Sequence, residues 1–213
     1  MNFYNISDDS KYSILWYNSD DSYEPFKTSK CSKYCEHMEY DKDKSVPLNL
    51  EKKDRKKVKD LVWTVYSDLL IAEKVIKLFE ENNITGFRTQ EVFIDGELSE
   101  LRQMIVEGEI ATLDEASGFK KIDVCPHCGH FRHTGTPNGM IIDKDSWNGC
   151  DIFHVEEYPW HVIITEKLKI LIEKYQLQGA AIVDVCDVKI EPSAPKLSEE
   201  ELRELLEEFN VKV

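Results

Sequence analysis

Apolar positions gather at helical spacing in two separate stretches of the chain. Val75, Leu78 and Phe79 form one set, and Leu168, Leu171, Ile172 and Tyr175 form the other. Intervals of i, i+3 and i+4 put such side chains on one stripe of a helix. Each stripe follows a short apolar run that reads as a strand and precedes a glycine, Gly86 or Gly179. A residue without Cβ at that place can take a left-handed conformation and turn the chain back. Further apolar residues through Phe87–Ile94 and 180–190 then predict a second strand after each helix. Thr165 is positioned to cap the second helix through its side-chain oxygen.

The two stretches align without a gap. Residues 68–86 laid over 161–179 match Ile71, Glu73, Lys74, Leu78, Glu80 and Gly86 with Ile164, Glu166, Lys167, Leu171, Glu173 and Gly179. The pattern predicts a strand-helix-strand unit occurring twice, at 68–94 and 161–187, packed helix on sheet about a pseudo-twofold axis. The expected fold class is α+β, with residues 1–190 as one domain.

Outside the repeat the signals are shorter. Strands are expected at 3–6, 12–17, 102–107 and 119–124, with loop following the second of these through the first cysteine pair, Cys31 and Cys35. Asn138-Gly139, between segments 131–134 and 140–143, has the sequence of a type I′ hairpin turn. The lysine-rich run 51–60 reads as a solvated helical face. Residues 191–195, rich in proline, read as a linker. Ser198 and Glu201 then form a capping box, and Leu202, Leu205, Leu206 and Phe209 form one apolar face. Residues 191–213 are thus expected as linker and C-terminal amphipathic helix, the helix docking on its own domain.

Composition narrows the function classes. Hydrophobic residues make up 41% and charged residues 32% of 213, the balance of a globular protein. No apolar run approaches the ~18 residues of a membrane span. The opening residues lack the basic and apolar regions of a signal peptide, so the expected location is the cytoplasm, where cysteines stay reduced. Acidic residues number 41 against 27 basic ones, a formal charge of -14. Such a surface repels phosphate backbones and anionic membranes and suits a basic protein partner. Only residues 52–59 could offer a basic face to nucleic acid.

The six cysteines therefore point to metal rather than disulfides. Cys125-Pro-His-Cys128-Gly129-His130 has the make-up of a zinc knuckle, in which two thiolates reach one tetrahedral ion from a tight turn. A redox C-x-x-C would instead open a helix, and here Phe131-Arg-His-Thr reads as a strand. A closed zinc site requires four ligands, and Cys31 with Cys35 is the second pair. The knuckle element thus joins residues 31–35 with 119–134, and Cys31, Cys35, Cys125 and Cys128 are the expected ligands of a structural zinc ion. His37, His127, His130 and His133 are substitutes for a cysteine that fails.

Cys186 reads as a small buried residue of the last strand, and Cys150 has no partner in the sequence. His130 and His133 near Asp143 and Asp145 read as residues that support the knuckle's ligands or face solvent rather than as a hydrolytic centre. Residues 133–139 lack the Gly-Lys-Ser/Thr ending of a phosphate-binding loop. No enzyme activity is expected.

The chain resembles the double-CxxCG motif family of myxobacterial paralogues, some of whose members are described as immunity proteins. The likeness rests on Cys125-Pro-His-Cys-Gly129, on Asp151-Ile-Phe153 ahead of the strand leading to Glu166, on Leu177-Gln-Gly179, and on Phe3-Tyr4. It extends to about residue 190. The first motif of that family is C-x-x-C-G, whereas here three residues separate Cys31 from Cys35 and Glu36 stands where glycine is expected. The resemblance implies a bacterial immunity protein that binds a cognate toxin. Together with the charge, it leads to the expectation of a cytosolic protein that neutralises a basic toxin and carries structural zinc. A zinc-ribbon regulator associated with nucleic acid is the alternative.

Overall fold

The computed structural model describes residues 2–9, 15–17, 26–31, 35–40, 48–52, 59–64, 68–108 and 111–193. In chain order its elements are β1 (Phe3–Asp8), β2 (Leu15–Tyr17), β3 (Phe26–Cys31), β4 (Cys35–Tyr40), β5 (Leu48–Lys52), β6 (Leu61–Trp63), β7 (Leu69–Ala72) and α1 (Glu73–Glu81). There follow β8 (Phe87–Ile94), β9 (Glu97–Val106), β10 (Lys121–Ile122), β11 (Arg132–His133), β12 (Ile152–Val155), β13 (Tyr158–Thr165), α2 (Glu166–Lys174) and β14 (Ala180–Asp184). The class is α+β, with mixed and antiparallel sheets and two α-helices among the described residues. No helix among them is long and apolar enough to cross a membrane.

One sheet runs β2-β5-β8-β9-β7-β6 and another β12-β13-β1-β14, and β3-β4 and β10-β11 are two-stranded ribbons. In the larger sheet β7 and β8 flank β9, both antiparallel to it, so that Leu70 and Gln90 both lie opposite Gln103. In the smaller sheet β13 and β14 flank β1 in the same sense, and Ile163 and Val183 both lie opposite Asn5. A short antiparallel strand borders each: β6 pairs Leu61 with Ile71, and β12 pairs Ile152 with Ile164.

The alternation of β7 and β13 sends their side chains to opposite faces. Leu69 and Ile71, with Val162 and Ile164, enter one cluster that also takes Val75 and Phe79 of α1 and Leu168, Leu171 and Ile172 of α2. Both helices thus fill a shared core. Fully burying each such side chain contributes about 1.5–3 kcal/mol. Leu70 turns the other way, to Leu50, Val62, Val92 and Leu101. Ile163 does likewise, joining Phe3, Phe153 and Tyr158.

Both helices end alike. Ile84 N–H donates to Phe79 O and Asn83 N–H to Glu80 O, as Leu177 N–H does to Ile172 O and Gln176 N–H to Glu173 O. This is the Schellman pattern, with Asn83 and Gln176 as its left-handed residues, both at φ 50°. The glycines three residues later serve a close approach instead. A Cβ on Gly86 would meet Ile152 O at 2.0 Å, and one on Gly179 would meet Leu61 O at 1.9 Å.

Two aspartates fasten these crossings. Asp151, just before β12, accepts the Thr85 N–H at 3.1 Å and the Thr165 hydroxyl at 2.9 Å, and pairs with Lys167 of α2 at 2.9 Å. Asp60, just before β6, accepts the Gln178 N–H at 3.1 Å and pairs with Lys74 of α1. Thr165 therefore spends its hydroxyl on Asp151 and makes no side-chain cap to α2.

Several expectations from the sequence are corrected. Phe26–Cys31 is a strand paired with Cys35–Tyr40, where the chain leading to the cysteine pair was expected as loop, and Glu51 and Lys52 belong to β5 rather than a helix. Asn138-Gly139 makes a turn, with Gly139 N–H donating to Thr136 O at 3.0 Å, but its flanks do not pair with each other. Instead β11 pairs with β10, and Met140 N–H donates to Val185 O. Gly139 sits so close to Cys186 that a Cβ would meet its carbonyl oxygen at 2.0 Å. Packing on the 185–186 backbone replaces the hairpin. That backbone is a 3-10 turn, Val185–Asp187, which ends β14 early and leaves Cys186 exposed rather than buried. The C-terminal helix expected from Ser198 onward lies outside the described residues.

Candidate metal centre

The knuckle grows out of the β10-β11 ribbon, which pairs Lys121 with His133 and Ile122 with Arg132. Cys125 N–H donates to His130 O at 2.7 Å and Gly129 N–H to Cys125 O at 3.0 Å, closing a tight loop around the two cysteines. Gly129 takes φ 74°, in the left-handed region that favours glycine. Arg132 braces the ribbon through an ion pair with Asp123 at 2.7 Å, and Lys121 Nζ stands over the Phe131 ring at 4.6 Å.

Three cysteine sulfur atoms converge here. Cys31, at the end of β3, brings its Sγ to 3.8 Å from that of Cys125, and Cys128 completes a group whose ligand atoms all lie within 4.8 Å of one another. The separation is far beyond a sulfur–sulfur bond of about 2.05 Å. A tetrahedral ion with metal–sulfur distances of about 2.3 Å has sulfur–sulfur edges of about 3.8 Å. The Cys31–Cys125 pair therefore fits one edge of a zinc tetrahedron. Cys125 is buried, Cys31 half-buried and Cys128 exposed.

Of the four ligands expected from sequence, Cys35 is located by its backbone: the β3-β4 ladder sets it directly opposite Cys31. His37 lies two residues further along β4, opposite Ser29. Among the described residues no histidine joins the sulfur group. His127 and His130 are exposed on the knuckle. His133 is engaged elsewhere: its Nδ1 accepts the Gly135 N–H at 3.2 Å and lies 3.1 Å from the Tyr158 hydroxyl. With Nδ1 accepting, the imidazole proton sits on Nε2. Burial holds the His133 pKa below its ordinary value and pushes Tyr158 up to about 12, so both keep these roles across neutral pH.

Tyr158 and Phe119 are the anchors that sequence reasoning missed. Phe119 stacks on His133 with centroids 5.9 Å apart and meets Phe131 and Tyr158 edge-on at 6.1 and 5.8 Å. Tyr158 is fully buried at the start of β13. Aromatic packing thus ties the ribbon to the four-stranded sheet, while Cys31 arrives on a separate ribbon. The available signal was an aromatic residue on either side of the knuckle within a polar stretch, Phe119 and Phe131. His161, half-buried, has its pKa depressed by desolvation, and its Nδ1 lies 3.0 Å from Asn5 Oδ1.

A sulfur-only donor set suits zinc or an iron–sulfur centre, and four thiolates leave no open position for water. Such an ion would clip the β3-β4 ribbon to the knuckle, joining segments 94 residues apart in the chain. No protein-family model matches this chain, and no curated protein matches it.

Proposed function

We propose that the chain is an immunity-type protein that binds and neutralises a cognate basic toxin in the cytosol, on a scaffold fastened by one structural zinc ion. The observation that carries the reading is the convergence of Cys31, Cys125 and Cys128 at tetrahedral spacing. Cys35 opposite Cys31 is the fourth ligand, and a site closed by thiolates fastens rather than catalyses. The partner is inferred from the charge of -14, which draws basic proteins, and from the resemblance to the double-CxxCG motif family.

We also infer that the scaffold is a duplicated unit arranged about a pseudo-twofold axis. The gapless alignment that matches Gly86 with Gly179 also matches Leu70 with Ile163 and Gln90 with Val183, which lie opposite Gln103 and Asn5. The contacts are exchanged as a twofold requires. Thr85 before Gly86 meets Asp151 and Ile152, while Gln178 before Gly179 meets Asp60 and Leu61.

The test is protection. Cells producing the protein encoded beside this gene should survive when they carry this chain and die without it, and the two proteins should co-purify. Tight binding of nucleic acid at physiological salt, with no protection, would refute the proposal.

A further inference from the structure

The four-stranded sheet stops at β14, and among the described residues no strand pairs with its outer edge. The sequence Ala-Ala-Ile-Val-Asp has neither the proline nor the lysine that blunts an exposed edge. It runs beside β1 without a bulge, from Asp8 opposite Ala180 to Tyr4 opposite Asp184. Backbone groups that β1 does not use therefore point outward in a regular row. No residue of β14 is buried, and Val183 is 40% exposed. The other sheet shows that such an edge accepts a strand: β8, which also follows a helix, takes β5 in parallel along its outer side.

The charges around the edge decide what kind of strand fits. Asp8, opposite Ala180 and followed by Asp9, stands at one end, and Asp184 with Asp187 of the following turn at the other, against Lys189 and Lys144. The thiol of Cys186, exposed in this stretch, is pushed up by partial desolvation first and then by Asp184 and Asp187, with Lys144 opposing. An extended segment bearing lysine or arginine would gain backbone hydrogen bonds from the edge and complementary charge from its ends.

We propose that the outer edge of β14 is the docking site for an extended basic segment of a partner protein, which adds as a fifth strand to this sheet. The inference rests on the toxin-binding reading and names where the toxin is gripped.

The probe is an acetylated, amidated peptide of alternating lysine and valine, titrated into the isotope-labelled full chain and followed by amide resonances. Shift changes should concentrate on Ala180–Asp184, with slower hydrogen exchange there and weakening by salt. A glutamate–valine peptide should do nothing, and Val183→Lys should weaken the basic peptide at least tenfold. Changes elsewhere, or an equal response to the acidic peptide, would overturn the proposal. So would protection in the free chain of the β14 amides that point away from β1, whether by residues 194–213 or by a second copy in a concentration-dependent dimer. A chain that protects against the toxin equally well with Val183→Lys refutes the edge and leaves the binding reading standing. A chain that never protects refutes the binding reading, while the peptide titration still decides the edge.

Discussion

Thr85 and Asp151, 66 residues apart, hold each other by reciprocal hydrogen bonds: the Thr85 N–H donates to Asp151 Oδ2 at 3.1 Å, and the Asp151 N–H to Thr85 Oγ1 at 3.2 Å. Asp151 also receives the Thr165 hydroxyl and pairs with Lys167, so one carboxylate fixes a helix start, a turn and an edge strand. Asp151→Ala should cost roughly 3 kcal/mol, because the buried Thr165 hydroxyl loses its acceptor together with the partly buried bonds from Thr85 and Lys167. Asp60→Ala should cost less, about 1 kcal/mol, since its Lys74 partner is 69% exposed and screened by solvent. Urea unfolding of both variants measures the difference.

Gly86 and Gly179 have no room for a side chain. Gly86→Ala and Gly179→Ala each combine a positive φ with a clash against a carbonyl oxygen. Each should destabilise by more than about 2 kcal/mol, beyond the ordinary backbone effect. Thermal melts of the two variants, with Gly96→Ala as a control whose Cβ would meet nothing within 4 Å, test the assignment.

The two helices differ at one matched position. Leu171 is 7% exposed and buried in the shared core, whereas Leu78 packs only partly against it. Leu171→Ala should cost about 2–5 kcal/mol and Leu78→Ala clearly less. Equal losses in denaturant unfolding would contradict this difference in packing.

The helices α1 and α2 and the strands beside them were legible because periodicity speaks directly to local structure. Phe87–Ile94 was expected as a strand and is one. The knuckle was legible from its spacing, and Cys31 was placed with it on ligand arithmetic alone. The β3-β4 ribbon was not legible: its residues alternate weakly and are mostly polar. Asn138-Gly139 misled for a different reason. Its local turn chemistry was right, but the partners of its flanks were set by packing on Val185 and Cys186, which no local window contains. Cys186 likewise followed from a strand that ends in a 3-10 turn.

Two half-buried histidines give a pH dependence of known sign. His133 and His161 both have native pKa values below the ordinary 6.5 because of burial. The unfolded chain then binds protons more readily, so their contribution is full above about pH 6.5 and declines as pH falls through that value, levelling off below the native pKa. Glu157, whose pKa is raised chiefly by burial, works the other way at more acid pH. Stability measured between about pH 8 and 5 should fall with pH, and more shallowly in His161→Gln than in the natural chain. An unchanged slope would remove His161 from the account.

The sulfur centre is tested most directly by counting metal. Protein purified without chelator should contain one zinc ion per chain by elemental analysis. Cys125→Ser should lose the ion and melt at lower temperature, as the natural chain should after chelation. Cys186→Ser, at an exposed cysteine outside the sulfur group, should retain it. A metal content near zero in the natural chain, with Cys31, Cys35, Cys125 and Cys128 all open to thiol reagents, would contradict the account.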